Sequence, residues 1–144
     1  YCMEKESITE EHVAVICSEQ TENKIFDMIN AMAEKKQKKA MELYYDLLAL
    51  KEPPMRILYL ITRQFNLLMQ VKELSEEGYS AKTISERLKM AGFIVRNCLR
   101  QAEYFSLKTL KEALQDCVRM EEAVKTGRMN DVMSVELLLV KYSS

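Results

Sequence analysis

Between Pro53 and Gly78 the chain reads PPMRILYLITRQFNLLMQVKELSEEG, with no glycine or proline after Pro54 until Gly78. Its apolar residues fall on two helical stripes. Leu58, Ile61, Phe65 and Leu68 form one, and Leu60, Leu67, Val71 and Leu74 form the other. Arg63, Asn66, Gln70, Glu73 and Glu77 hold the remaining face. A helix lying on a surface needs only one narrow apolar stripe, whereas one this broadly apolar packs against neighbours on two sides. The stretch therefore predicts the central helix of an all-helical bundle.

The rest of the chain agrees with that architecture. With 144 residues it suits one domain, or one domain with the remnant of another. Leu, Met, Ala, Glu and Lys dominate and favour helix, Trp is absent, and β-branched runs are short. Only 3 Gly and 2 Pro are present, which predicts few tight turns. The fold expected is all-α, a bundle of about seven or eight helices.

Composition also excludes several functions. The chain carries 21 basic and 22 acidic residues, a balance that argues against a surface devoted wholly to nucleic acid or an anionic membrane. The cysteines Cys2, Cys17, Cys98 and Cys117 contain no CxxC pair. Three of them, Cys17, Cys98 and Cys117, occupy apolar helical positions, which predicts buried free thiols and suits a reducing cytoplasm. No signal peptide is visible, and no apolar run approaches the ~20 residues that span a bilayer. The chain opens on Tyr1-Cys2-Met3 and is expected to be a piece of something longer.

Read in order, Thr9 is expected to cap a short helix over residues 10–18, followed by a polar hinge at 19–22. A second helix, about 22–34, carries Ile25, Phe26, Ile29 and Met32 on one face. After the basic cluster at 35–39, a third runs to about Leu50 with Ala40, Leu43, Tyr44, Leu47 and Leu48. Proline is tolerated in the first turn of the central helix, and Gly78 is expected at its C-terminal end. Ser80 should cap a helix over 81–89, with Met90-Ala91-Gly92 as the following turn. The helix over 93–104 should bury Val95, Cys98, Leu99 and Ala102. Ser106 should cap the next, whose inner side is expected to hold Leu110, Ala113, Leu114, Cys117, Val118 and Val124. Gly127 ends it, and a Val- and Leu-rich helix from Asp131 to about Lys141 closes the chain. The methionines sit on or beside apolar faces and read as core filler.

Catalytic chemistry is missing from this pattern. His12 is the sole histidine and reads as an exposed residue of a first helical turn. No Gly-rich loop followed by Lys-Ser/Thr is present to cradle nucleotide phosphates. Glu10-Glu11, Glu76-Glu77 and Glu121-Glu122 are adjacent in sequence, so they point apart on a helix and cannot act as an acid/base pair. The chain is read as no enzyme, with no cofactor and no metal.

Two segments are candidates for DNA contact. In SAKTISERLKMAGFIVRNCLR, residues 80–100, the apolar spacing approaches that of a helix-turn-helix, with Arg96 and Arg100 on the second helix. Lys89 stands where such motifs often use Gly, and the turn is shifted toward Ala91-Gly92. The other segment is the Lys125-Thr126-Gly127-Arg128 turn, where two cations flank a glycine. Taken alone, these four residues read first as a basic helix end that offsets its own dipole, and second as a phosphate contact. Tyr59, Tyr79, Tyr104 and Tyr142 are candidate subunit-interface anchors, each of which reads equally as a tyrosine at the edge of the bundle's own core.

The order of these pieces resembles a known family. ITEEHVAVICSEQTENKIFDMINAM precedes KKAMELYYDLLALKEPPMRILYLITRQFNLLMQVKEL; the 84–99 helix pair follows, then KTGR and a Leu-rich final helix. The pattern is similar to the C-terminal part of the delta subunit of bacterial DNA polymerase III, over nearly the whole chain. The EPPMRILYLITRQFNLLMQVKEL tract and AVKTGR…VELLL are its most specific parts. The resemblance implies a bundle of the clamp-loader collar type. Residues 1–20 would be the end of a lid domain and 21–144 a helical collar that holds a five-subunit clamp loader together. It implies gamma/tau-type and delta-prime-type subunits as partners, primed DNA in the assembled complex, and a sliding clamp bound through an N-terminal domain absent here. No membrane is involved, and the setting would be the bacterial cytoplasm. The parent holoenzyme would be the DNA-directed DNA polymerase. The alternative is a stand-alone helix-turn-helix DNA-binding regulator.

Overall fold

A computed structural model describes the backbone of residues 8–143 and the side chains of residues 21–143. Among the described residues seven helices follow one another: α1 (Ile8–Ala33), α2 (Gln37–Ala49), α3 (Pro54–Glu76), α4 (Ala81–Leu88), α5 (Gly92–Ala102), α6 (Leu107–Lys125) and α7 (Asp131–Ser143). The all-α bundle expected from the sequence is the architecture observed.

The hinge expected at 19–22 is instead continuous helix, so α1 replaces two shorter elements. Polarity without glycine or proline does not break a helix. Here Thr21 and Glu22 are tied to other parts of the chain. Thr21 is buried and its hydroxyl donates to Glu52 Oε2 at 3.0 Å. Glu22 accepts from Arg63 at 3.3 Å. The side chains of Thr9, His12, Cys2 and Cys17 lie outside the described residues.

α3 is the central element, in contact with α1, α4, α5, α6 and α7. Leu58, Ile61, Phe65 and Leu68 are all buried, as are Leu60 and Val71, while Leu67 and Leu74 are half-buried. Ile57 joins them in the core. The Phe65 ring meets Phe105 edge-on at 5.8 Å and Tyr142 at 6.3 Å. Met28 and Met32 are fully buried, and Met41, Met55, Met69, Met90 and Met120 pack against the core as filler.

Scarcity of glycine did not prevent tight turns. Five helices end with a backbone N–H reaching the carbonyl five residues back: Lys36 to Ala31, Glu52 to Leu47, Tyr79 to Leu74, Met90 to Ser85 and Arg128 to Ala123. Such endings need one residue at positive φ. Gly78 and Gly127 supply it for α3 and α6, but Lys35, Lys51 and Lys89 supply it for α1, α2 and α4. The expected caps are in place, with Ser80 Oγ accepting from Thr83 N–H and Ser106 Oγ from Thr109 N–H.

Two interior expectations need correction. Val118 was expected inside, but is 54% exposed. The inner face of α6 is fixed by Leu110, Ala113 and Cys117, and the residue after Cys117 points about 100° away, as 3.6 residues per turn requires. On α5 Val95, Cys98 and Ala102 are buried as expected, but Leu99 is only half-buried, and a buried amide, Gln101, joins the inner face instead. Its Nε2 donates to Phe26 O at 3.1 Å and Asn30 Oδ1 at 3.0 Å, and its Oε1 accepts from Gln64 at 3.0 Å. This side chain locks α5 onto both α1 and α3.

Candidate interaction surfaces

Among the described residues, no group of three or more His, Cys, Asp or Glu is placed to hold a metal ion. No described helix is long and apolar enough to cross a membrane. Cys98 and Cys117 are buried free thiols. Burial pushes both thiols up, Cys117 to about 11, with the Gln64 and Thr62 side chains opposing it only in part. Neutral thiols are poor nucleophiles. What the molecule offers outward is surface.

The four candidate tyrosines have different placements. Tyr59 is 62% exposed on the outer face of α3, and Tyr104 is 57% exposed beyond the end of α5. Tyr79 is half-buried, with Arg87 stacked 4.3 Å from its ring centre and donating to its hydroxyl at 3.1 Å. Tyr142 does not belong with these. It is 6% exposed and its hydroxyl donates to Asp116 Oδ2 at 2.6 Å, so it is a core residue rather than an anchor for a partner. A helix apolar on nearly every side does not reveal from sequence which face turns inward.

Beside Tyr142 sits a buried carboxylate, that of Asp116. Asp116 also accepts from Lys141 at 2.6 Å and Arg119 at 3.2 Å. Burial would raise its pKa, but the bonds from Lys141 and Tyr142, with the nearby cations, win and hold it below the ordinary value. Burial first, and then Asp116, push the Tyr142 phenol up, so it stays a donor.

The basic candidates lie on separate elements. Lys125 is exposed and pairs with Glu121 at 3.3 Å, while Arg128 Nε donates to the Thr126 hydroxyl at 3.0 Å. Arg96 and Arg100 are exposed on α5, where Arg100 approaches Asn97 at 3.4 Å. The length of α6, about 28 Å at 1.5 Å per residue, separates the end of α5 from the Lys125–Arg128 turn.

The turn between α4 and α5 starts at Lys89, whose φ of 57° takes the left-handed conformation that glycine often provides there. It is not shifted to Ala91-Gly92, because Gly92 is already the first residue of α5. Yet α5 presents Phe93, 60% exposed, and Ile94 in its first turn. A recognition helix places polar side chains there to meet base edges, so the helix-turn-helix regulator is not supported.

Sequence reasoning missed several outward apolar groups. Met133, Leu137 and Val140 are exposed at helical spacing on α7. Phe93 and Ile94 rim a groove bounded by α1, α3 and the α4–α5 turn. The signal for the first set was the apolar excess of α7 around its whole circumference. The Phe93-Ile94 pair carried no such signal, since one of two adjacent apolar residues ordinarily turns inward.

Three likenesses accompany this geometry. The sequence profile described as "DNA polymerase III delta subunit, C-terminal domain" matches residues 22–142. The DNA polymerase III subunit delta of Bacillus subtilis (strain 168) is 33% identical over 138 residues, covering 96% of this chain and 40% of that protein. The solved structure of the Bacillus subtilis DNA clamp loader delta protein (YqeN) superposes with a TM-score of 0.81 at 33% identity, covering 85% of this chain and 36% of that one. The chain thus spans well under half the length of these relatives.

Proposed function

The chain belongs to the family of DNA polymerase III delta subunits, as their C-terminal domain, and from that premise we propose that it is the helical collar of a clamp loader. In this reading residues 1–20 end a lid domain and residues 21–144 form the collar. It joins gamma/tau-type and delta-prime-type subunits, and the assembly loads a sliding clamp onto primed DNA in the bacterial cytoplasm. The clamp is held by an N-terminal domain, and polymerisation belongs to other subunits of the holoenzyme.

One observation carries the reading. Large apolar side chains face outward on two different sets of elements, Tyr59 with Phe93 and Ile94 on one and Met133, Leu137 and Val140 on the other. A dimer about a two-fold axis needs one self-complementary patch, whereas a subunit inside a ring meets two neighbours through two different faces. The test is size exclusion of the purified chain with the partner subunits. One collar interface is small, so co-elution is expected in the full mixture rather than with a single partner. A folded chain that elutes alone from the full mixture overturns the reading.

DNA contact by the collar is assigned to the Lys125–Arg128 turn, with Arg96 and Arg100 as the second choice. Two exposed cations beside Gly127 can meet backbone phosphates without reading bases. Replacing Lys125 and Arg128 together by alanine is expected to weaken primed-DNA binding by the assembled loader. The salt slope should fall by about one unit per lost phosphate contact. Fluorescence anisotropy across a salt series measures both. Unchanged affinity and slope would leave the turn as a helix terminus only.

A further inference from the structure

Two adjoining hollows between α1, α3 and the α4–α5 turn share Glu22, Gln64 and Ile94 and form one groove. Ile25 and Leu60 lie buried at its floor and Phe93 and Ile94 at its rim, while the amides of Asn23, Gln64, Asn66, Gln70 and Asn97 also line it.

The charges of the groove do not cancel. Glu22 and Arg63 face each other across it at 3.3 Å and neutralise one another. Lys89 also lines it, is exposed, and has no ion pair among the described residues. Its left-handed backbone is the ordinary place for a glycine, and a lysine there carries strain that glycine lacks. Lys35 and Lys51 share that conformation at other helix ends, so the backbone alone does not single out Lys89. Its position in the groove that Phe93 and Ile94 rim, with an uncompensated charge, does.

We propose that this groove receives an acidic segment of a neighbouring clamp-loader subunit, whose apolar side chain seats against Phe93 and Ile94 while its carboxylate meets Lys89. The assignment rests on the collar reading and adds the face and the chemistry of the partner. A single free cation beside an apolar rim matches a carboxylate next to an apolar anchor. A nucleic-acid track would need a row of cations following the phosphates.

Lys89→Gly separates binding from folding, because it removes the charge and relieves the backbone. Made in the full-length subunit and reconstituted with its partners, it is expected to weaken association about tenfold, the worth of one charge-assisted hydrogen bond. The melting temperature should hold or rise. Phe93→Ser should also weaken association, and Lys89→Arg should preserve it. If the wild-type subunit assembles and both Lys89→Gly and Phe93→Ser assemble equally well, the groove assignment is overturned and the collar reading stands. If the loss comes with a lower melting temperature in Lys89→Gly, the lysine is structural and the assignment fails. If subunit affinity is unchanged while primed-DNA affinity drops, the occupant is nucleic acid, which also overturns it. A folded wild-type subunit that assembles with no partner removes the collar reading and this inference together.

Discussion

Phe65→Ala is expected to lower the stability of the fold by about 3–5 kcal/mol, the range for emptying an aromatic site in a packed core. Phe65 has no exposed surface and lies between the rings of Phe105, from the α5–α6 connection, and Tyr142, from α7. Its removal leaves a cavity where three parts of the bundle meet. Relaxation there is limited, because α3 is held by neighbours on several sides. Chemical denaturation followed by helical circular dichroism measures the loss. A change below ~0.5 kcal/mol, the ordinary surface value, would mean that α3 is not the element around which the bundle packs.

Asp116→Ala should cost about 2–3 kcal/mol near neutral pH, because the buried Tyr142 hydroxyl loses its acceptor and Lys141 its partner. The contribution of the carboxylate depends on pH with a definite sign. Its folded pKa lies below the unfolded value, so the folded state favours the charged form. The stabilisation is therefore complete above the unfolded pKa, near 3.9, and is lost as pH falls through the lower folded value. Asp116→Asn keeps an acceptor for Tyr142 but no charge. The stability difference between wild type and Asp116→Asn should be flat above about pH 5 and shrink below about pH 4. A difference that stays constant down to pH 2 would show that charge at this position contributes nothing.

These two sites stood differently in the sequence. Phe65 was legible as core because its spacing with Ile61 and Leu68 has only one interpretation on a long helix. Asp116 was not, since an aspartate beside Cys117 on an amphipathic helix reads as solvated charge. It is buried because α7 brings Lys141 and Tyr142 across from another part of the chain, 25 and 26 residues away. Tyr59 and Tyr104 are exposed, whereas Tyr142 is withdrawn into that buried cluster.

Period, composition and capping residues were enough to determine an all-helical fold, the position of α3 and the ends marked by Ser80, Ser106, Gly78 and Gly127. Those features depend on local backbone preference and on the spacing of apolar side chains along one helix. The continuity of α1, the lysines that turn three helix ends, the lock at Gln101 and the outward faces of α5 and α7 were decided only by the tertiary structure. Each depends on which residue a distant element places opposite, and a helical repeat contains no information about its neighbour. The outward apolar pairs and triplets, Phe93 with Ile94 and Met133 with Leu137 and Val140, could be recognised only once the packing of the neighbouring helices was known.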